Sequence, residues 1–429
     1  MEQRENRSLT AAAALRLASL DADDRLITDA TRRALQAARC DPAWPWPVLQ
    51  LADLAAHAGL LDEAVLRGSD AGPDDLAALV IGGRRPELLR RAAELAVHNP
   101  EFEGRILGGQ DRDGEHGVRV LTDRHRLLEQ ALVHKRLDAA AAHREHDDTA
   151  AFRDWLAGTG APRTWTLPEP LAVIDLPGGD GVYVMRRAQA RLLGAAVADR
   201  RTGPGPDPLP RFREALLYLA AFQAWRARSD DGFPRVAGPA EQEAFRGQLA
   251  KIAGRLGPGG DDTLRLLAAA CAPFAAADTP VVAKKDPHPG NWLWTRDGRL
   301  VLIDIESREA LPLLREAATV LDDLPLLAAD EHGWRQRAEL CREYLEALTG
   351  YGLTIGDGAP VMERYEAMAV LHTAKGLGRL RQDEPSATAR LESEHYAALL
   401  DHLARSAIRP ETRDLADHLR RSVRLASPN

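Results

Sequence analysis

The chain is poor in the residues that build disulfide frameworks, zinc sites and membrane spans. Its 429 residues include three cysteines, Cys40, Cys271 and Cys341, which lie far apart and form no CxxC pair. Neither a disulfide framework nor a structural zinc site is therefore expected. No window approaches the roughly 18 consecutive apolar residues that a membrane-spanning helix needs. We expect a protein of a reducing cytoplasm with no membrane partner.

The chain has no excess of basic charge. The formal net charge is −8 at pH 7, so a nucleic-acid partner, which needs a clustered basic surface, is not expected. Lysine is scarce in particular, with five lysines against 51 arginines. A lysine kept in such a sequence indicates a place that needs a compact ammonium rather than a planar guanidinium. The five are Lys135, Lys251, Lys284, Lys285 and Lys375.

Three regions follow one another along the chain. Residues 1–98 have apolar residues at helical spacing, broken by short Pro, Gly or Asp segments, and are predicted to be all helical. They are a candidate docking module for a protein or peptide partner. The pattern changes near Asn99-Pro100, so that 99–193 form a second region and 194–429 a third.

Residues 99–193 have the pattern of a small β-rich domain. The hydrophobic pattern predicts five strands, with one helix after the third strand. The helix is predicted to end at Gly158. A Gly- and Asp-rich turn joins the first two strands, and the sequence PGGDG joins the last two. The predicted strands are 105–107, 118–121, 131–137, 171–176 and 182–185, and the predicted helix is 140–157.

Residues 194–429 are predicted to be mostly helical, with two interruptions. One is a strand at 281–286, and the other is a hairpin of 292–294 and 300–304 that turns at Arg296-Asp297-Gly298. The complete chain is therefore predicted to belong to the α+β class.

The most informative stretch is KKDPHPGNWLWTRDGRLVLIDIES, residues 284–307. Phosphoryl transfer needs an oriented oxygen nucleophile, a divalent metal at the phosphates and a nearby cation. The Asp286 carboxylate can accept a proton from the nucleophile. Asn291, five residues on, and Asp304 at the end of the next strand offer the hard oxygen ligands that Mg²⁺ prefers, and the intervening hairpin would bring them together.

This stretch resembles the catalytic and metal-binding loops of the aminoglycoside phosphotransferase and choline kinase-like family. The family pattern is H-G-D-x-H-P-x-N, then a hairpin, then I-D. The resemblance implies that Asp286 is the catalytic base and that Asn291 and Asp304 bind Mg²⁺. Glu306 matches an acidic residue that many members carry. Lys284-Lys285 stands where the family usually has His-Gly.

The resemblance also implies a strand lysine that contacts the phosphates of ATP and pairs with a helix glutamate. The segment 182–187 offers only arginines, whereas 131–137 offers Lys135 and is followed by a helix and a hairpin, which is the family's order. Glu145 is the expected partner of Lys135, with Asp147 and Asp148 as alternatives. Residues 186–193 then become the hinge, and Met185, at the end of the strand entering it, is expected to contact ATP.

Gly108 and Gly109 are further candidates for ATP binding, and Lys285, His288 and Glu306 are candidates for auxiliary roles. Gly108 and Gly109 lie in a loop that would cover the ATP phosphates through backbone N–H groups, although an ordinary hairpin turn has the same glycines. His288, between two prolines, is interpreted as a hydrogen-bonding group that orients the loop rather than as a metal ligand. Lys285 either neutralises the transferring phosphoryl group or points to solvent.

The resemblance implies a two-lobed protein kinase-like fold, with a small five-stranded lobe carrying one helix and a large helical lobe. It further implies an enzyme that uses ATP and Mg²⁺ to phosphorylate a hydroxyl of a small molecule such as an aminoglycoside-like natural product. Two alternatives stay open. One is a kinase for Ser or Thr of a precursor peptide, and the other is a catalytically silent kinase-like binding protein.

Overall fold

The chain is described by a computed structural model that covers three stretches. They are 104–108, 117–121 and 132–426, except 177, 187, 189, 203–206, 230–237, 258–259, 278–280, 285–286, 296, 306–308, 354, 356–359 and 382–386. The predicted helical region 1–98 lies outside the described residues. None of the helices in the described stretches is long and apolar enough to cross a membrane.

The described chain divides into two compact units. The first contains the described residues up to Ala151 together with Pro168–Gln189, and the second contains Phe152–Leu167 and the chain from Ala190 onward. Both helices and sheets are present, which confirms the predicted α+β class.

The first unit is built on a five-stranded sheet in the order β1-β2-β3-β6-β5, whose paired strands are antiparallel. A helix, α1 (Ala139–Gly158), follows β3 directly, and the Asp138 carboxylate caps it by accepting the Ala141 N–H at 2.9 Å. The strands are β1 Gly104–Gly108, β2 Gly117–Leu121, β3 Leu132–Asp138, β5 Pro170–Asp175 and β6 Asp180–Arg186.

Gly181 determines how closely α1 packs on this sheet. A Cβ atom at Gly181 would lie 2.9 Å from the Ala139 Cα and 3.0 Å from the Ala142 Cβ. Any larger residue would therefore push the start of the helix away from β6. This contact holds the helix against the strand pair β3 and β6, which pairs along its whole length from Leu132↔Arg186 to Asp138↔Asp180.

The second unit contains two small sheets. A four-stranded sheet has the order β4-β10-β9-β7, and a two-stranded sheet pairs β11 with β8. Their strands are β4 Trp165–Thr166, β7 Ala190–Leu192, β8 Val281–Val282, β9 Trp292–Thr295, β10 Leu300–Leu302 and β11 Ala310–Leu311.

Helices make up most of the second unit. They are α2 Leu193–Thr202, α3 Leu209–Ser229, α4 Pro239–Arg255, α5 Gly260–Ala277, α6 Arg315–Asp322, α7 Glu331–Gly350, α8 Val361–Leu380, α9 Ala387–Ser406 and α10 Pro410–Ala426. Their core includes stacked aromatic rings, among them Trp165 on Tyr218 with centroids 4.9 Å apart. Cys271 and Cys341 are free and fully buried, and burial raises the pKa of Cys271 to about 12. Neither thiol is therefore poised as a thiolate nucleophile.

The structure differs from the sequence-based expectation at three places. Strand β7 lies inside the stretch 186–193 that was predicted to be a hinge, and it pairs with β9. Strand β4 falls where no strand was predicted and pairs in parallel with β10. Strand β10 ends at Leu302 rather than at Asp304, because Asp304 has a φ of +63°, which is incompatible with extended backbone.

Candidate active site

A buried ion pair lies in the first unit between β3 and α1. The Lys135 Nζ is 2.9 Å from the Glu145 Oε2, and their side chains are 10% and 4% exposed. Asp147, a considered alternative to Glu145, is 77% exposed and contacts the adjacent His146 instead. The pairing of Lys135 with Glu145 is the one expected from the sequence, whereas its role with ATP stays a prediction.

The burial of this pair needs an explanation, because removing two charges from water costs several kcal/mol per ion before their attraction offsets it. In β3, Lys135 lies opposite Val118 on one side and Tyr183 on the other. Glu145 lies almost two turns into α1, whose start is fixed against Gly181. Removing either partner alone would leave an uncompensated buried charge, so the two residues depend on each other for their burial.

Two other predicted ATP-binding residues of the first unit are described. Met185 is half-buried near the end of β6, opposite Val133. Gly108 ends β1 beside an irregularity in its pairing with β2. Gly109 lies outside the described residues, as do Lys285, Asp286 and Glu306 of the second region, so their predicted roles stay predictions.

In the second unit, a 3₁₀ turn, Pro289–Asn291, leads into the β9–β10 hairpin. The His288 Nδ1 accepts the Gly290 N–H at 3.1 Å and so caps this turn. A Cβ at Gly290 would lie 2.7 Å from the His288 Cε1, so only glycine fits there. His288 therefore bonds within its own loop, and its role in orienting that loop for catalysis stays a prediction.

The hairpin brings the two predicted metal ligands to neighbouring backbone positions. The Ile303 N–H donates to the Asn291 carbonyl at 3.3 Å, so Asp304 is the residue next to one that is bonded to Asn291. The fully buried Trp292 anchors the same turn, because its Nε1–H donates to the Pro287 carbonyl at 3.0 Å. Asn291 and Asp304 are both half-buried.

A buried polar cluster beneath this turn was not predicted from the sequence. The Glu316 Oε2 accepts both the Lys284 backbone N–H at 2.8 Å and the Gln223 amide at 2.9 Å. The Tyr344 hydroxyl donates to the other end of the Gln223 amide. These side chains come from α3, α6 and α7, and the only sequence signal for them was polar residues at helix positions that otherwise read as apolar.

Asn291 and Asp304 offer an amide and a carboxylate oxygen, which are the kinds of ligand that Mg²⁺ prefers. In the described part of the chain, no group of three or more His, Cys, Asp or Glu side chains could hold a metal ion. Mg²⁺ characteristically uses one or two protein oxygens and completes its shell with phosphate oxygens and water. One carboxylate and one amide oxygen are therefore sufficient for a nucleotide-bound Mg²⁺.

No protein-family model and no curated protein matches the chain. Among solved structures, it is similar to an aminoglycoside phosphotransferase from Alicyclobacillus acidocaldarius, with 13% identity, coverage of 76% of this chain and 94% of that chain, and a TM-score of 0.37. The choline kinase of Streptococcus pneumoniae is 13% identical, with coverages of 71% and 95% and a TM-score of 0.39.

A macrolide 2'-phosphotransferase from Brachybacterium faecium is also similar, at 14% identity, with coverages of 70% and 91% and a TM-score of 0.36.

Proposed function

We propose that the chain is an ATP- and Mg²⁺-dependent phosphotransferase that moves the γ-phosphoryl group to a hydroxyl of a small molecule. The observation that carries this proposal is the hydrogen bond from the Ile303 N–H to the Asn291 carbonyl. It joins the amide five residues after Asp286 to the strand end that bears Asp304. An arrangement of this kind supports metal-assisted phosphoryl transfer.

Each residue then has a defined role. Lys135, oriented by Glu145, binds the α- and β-phosphates, and Asn291 and Asp304 hold Mg²⁺, which neutralises the phosphate charge. Asp286 accepts the proton of the acceptor hydroxyl, whose oxygen forms the new bond to the γ-phosphorus. The bond from that phosphorus to the β–γ bridging oxygen breaks, and ADP leaves.

Residues 99–193 form the small kinase-like lobe and 194–429 the helical lobe in this proposal, with 1–98 as a docking module.

The acceptor pocket in this proposal is a cavity of about 560 Å³ in the second unit. Gly194, at the start of α2, packs closely between the Pro289–Asn291 turn and Leu324, since a Cβ there would lie 3.4 Å from the Pro289 Cβ and 3.3 Å from the Leu324 Cδ1. One helical turn after Gly194, Val197 lines the cavity, as does Pro325, which follows Leu324.

A buried ion pair stabilises part of the cavity lining. Arg337 and Asp322 are both 0% exposed and 2.8 Å apart. The Arg337 guanidinium also donates to the Ala328 carbonyl at 2.7 Å and to the Leu327 carbonyl at 3.2 Å, both of which belong to lining residues. The cavity is therefore preformed, as small-molecule sites usually are.

The lining chemistry favours an acceptor with a large apolar body. Nine of the eleven lining residues are apolar, and the polar ones are Glu394 and His395. A single carboxylate suits one amine better than the several ammonium groups of a polycation. A peptide acceptor would dock on residues 1–98 in the alternative proposal, and no contact within the described stretches favours it.

The test is phosphoryl transfer by the purified full chain with ATP and Mg²⁺, offered either kanamycin or a macrolide as acceptor. We expect ADP release and a phosphorylated macrolide, with loss of both in Asp304→Ala. Nucleotide binding without turnover of any hydroxyl acceptor would instead support the silent binding protein. Unchanged Mg²⁺-dependent binding of ATP in Asp304→Ala would remove Asp304 from the metal site.

A further inference from the structure

Lys284 is the most deeply buried lysine among the described residues. It is 0% exposed, although it stands next to the predicted catalytic loop, where polar side chains usually face the substrate. Its Nζ donates to the backbone carbonyl of Asp304 at 3.0 Å, and its own backbone N–H donates to Glu316. The lysine therefore bridges the stem of one predicted loop and the metal-binding residue of the other.

The carbonyl that Lys284 binds belongs to a residue with unusual backbone geometry. Asp304 has a φ of +63°, in the left-handed region that residues with a side chain seldom adopt. The next carbonyl, of Ile305, accepts from the Arg226 Nη2 at 3.0 Å. Two buried cationic side chains thus hold two successive carbonyls and fix the direction in which the Asp304 side chain leaves the backbone.

The other end of the lysine is held as firmly. Glu316, which accepts the Lys284 N–H, is 2% exposed and also binds Gln223. The residue before Lys284 is also held, because the Ala283 N–H donates to the Glu309 carbonyl at 2.7 Å. This bond extends the β8–β11 pairing toward the loop. Movement of the Lys284 backbone would therefore break bonds in the core.

We propose that Lys284 is a positioning residue that holds Asp304 in its left-handed conformation, so that the carboxylate is preorganised for the Mg²⁺ of a bound nucleotide. This inference rests on the proposed function. Lys284 acts through Asp304 and touches neither the nucleotide nor the metal. It also explains why lysine is kept at a position where the resembling family usually has histidine: the long stem carries a donor to a carbonyl twenty residues away.

The experiment measures binding of a fluorescent ATP analogue to the full chain, in EDTA and at saturating Mg²⁺. The ratio of the two Kd values gives the coupling between metal and nucleotide and needs no acceptor. Loss of a group that orients a metal ligand typically weakens the metal site about 10- to 100-fold. We expect Lys284→Met to lower the ratio at least about tenfold, with the Kd in EDTA changed less than about threefold.

Three further variants make the result specific. Lys251→Met, at an exposed position of α4, should keep the wild-type ratio. Lys284→His restores a donor and should recover part of the loss. Lys284→Met in an Asp304→Ala background should have no additional effect, since residues that act through one group are not additive.

The outcomes separate the two proposals. A wild-type chain whose nucleotide Kd does not depend on Mg²⁺ overturns the proposed function, and the inference with it. If the wild type shows the coupling and folded Lys284→Met keeps the same ratio, only the positioning role is wrong. An equal weakening in EDTA and in Mg²⁺ would mark a general structural role and would also overturn it. If Lys284→Met does not fold, Lys284→Leu is measured against the same two outcomes.

Discussion

Lys135 in the first unit and Lys284 in the second are both buried, but their ammonium groups have different partners. The Lys135 Nζ pairs with the carboxylate of Glu145, whereas the Lys284 Nζ binds a backbone carbonyl. A carboxylate partner orients a cation and leaves donors for an incoming phosphate, while a carbonyl partner fixes the backbone itself. The first unit thus holds a buried lysine through a side-chain ion pair, whereas the second holds one through the backbone.

The largest effect is expected from the second unit. Asp286→Asn removes the proton acceptor of the proposed mechanism and should lower kcat by about a thousandfold or more, within the range that general-base catalysis contributes. The Kd for ATP should stay nearly unchanged, because the substitution leaves Lys135 and the metal ligands intact. Steady-state kinetics with ATP binding as a second readout check this.

Asp297→Asn is the matched control, since Asp297 lies in the exposed turn of the same hairpin. Full residual activity in Asp286→Asn would show that another group accepts the proton and would place the chemistry of the second unit elsewhere.

The two lysines can be compared directly by replacing each with methionine. Lys135→Met leaves the buried Glu145 carboxylate without this cation and should cost about 3–5 kcal/mol of unfolding free energy. Lys284→Met leaves a carbonyl without this donor and should cost about 1–3 kcal/mol. Urea denaturation of the full chain measures both, and a larger loss for Lys284→Met would reverse the comparison.

Glu366 in the second unit is a buried charged group whose hydrogen-bond partner is again the backbone, as it is for Lys284. Its carboxylate accepts the Ile408 N–H at 2.7 Å. Burial raises its pKa to about 7. A raised pKa means that the folded state holds the proton more tightly, so stability from this group is present below about pH 4.5 and is lost as the pH rises through about 7.

Glu366→Gln keeps the acceptor and removes the charge. It should raise the unfolding free energy by about 2 kcal/mol at pH 8 and by little at pH 5. Glu331→Gln, at a highly exposed position, should show no such pH dependence. An equal effect of Glu366→Gln at both pH values would refute the raised pKa.

The smallest expected effect concerns the cavity of the second unit. Ala398→Trp fills it from an exposed position of α9 and should raise the KM for an acceptor about tenfold, or about 1.4 kcal/mol, while ATP binding stays unchanged. Ser406→Trp lies on the same helix outside the lining and is the control. If both variants leave the KM unchanged, the acceptor binds elsewhere.

The sequence predicted the elements whose signals are local. The strands of the first unit and α1 were predicted because glycine-rich turns separate clear hydrophobic periods, and Gly158 ends the helix as predicted. Strands β4 and β7 were missed, because two or three residues carry no period and their pairing is set by distant partners.

The same limit applies to the candidate site. The spacing of Asn291 and Asp304 predicted that both lie at one turn, and a backbone hydrogen bond from Ile303 to Asn291 joins the two segments. The bond between Lys284 and the Asp304 carbonyl could not be predicted. It depends on the left-handed backbone conformation of Asp304, and the sequence has no glycine at that position to indicate such a conformation. The unusual Lys284-Lys285 pair marked the position at which this contact forms, but the sequence did not show which atoms make it.

The pairing of β4 with β10 has a consequence for how the second unit folds. Leu300 pairs with Trp165, about 135 residues earlier, and its N–H donates to the Thr164 carbonyl at 2.8 Å. Closing so long a loop is slow, because its entropy must be lost before the contact forms. The helices can form early from local contacts, but the four-stranded sheet that contains the β9–β10 hairpin is completed only when these distant segments meet. On refolding, metal-dependent nucleotide binding should therefore return later than helical structure.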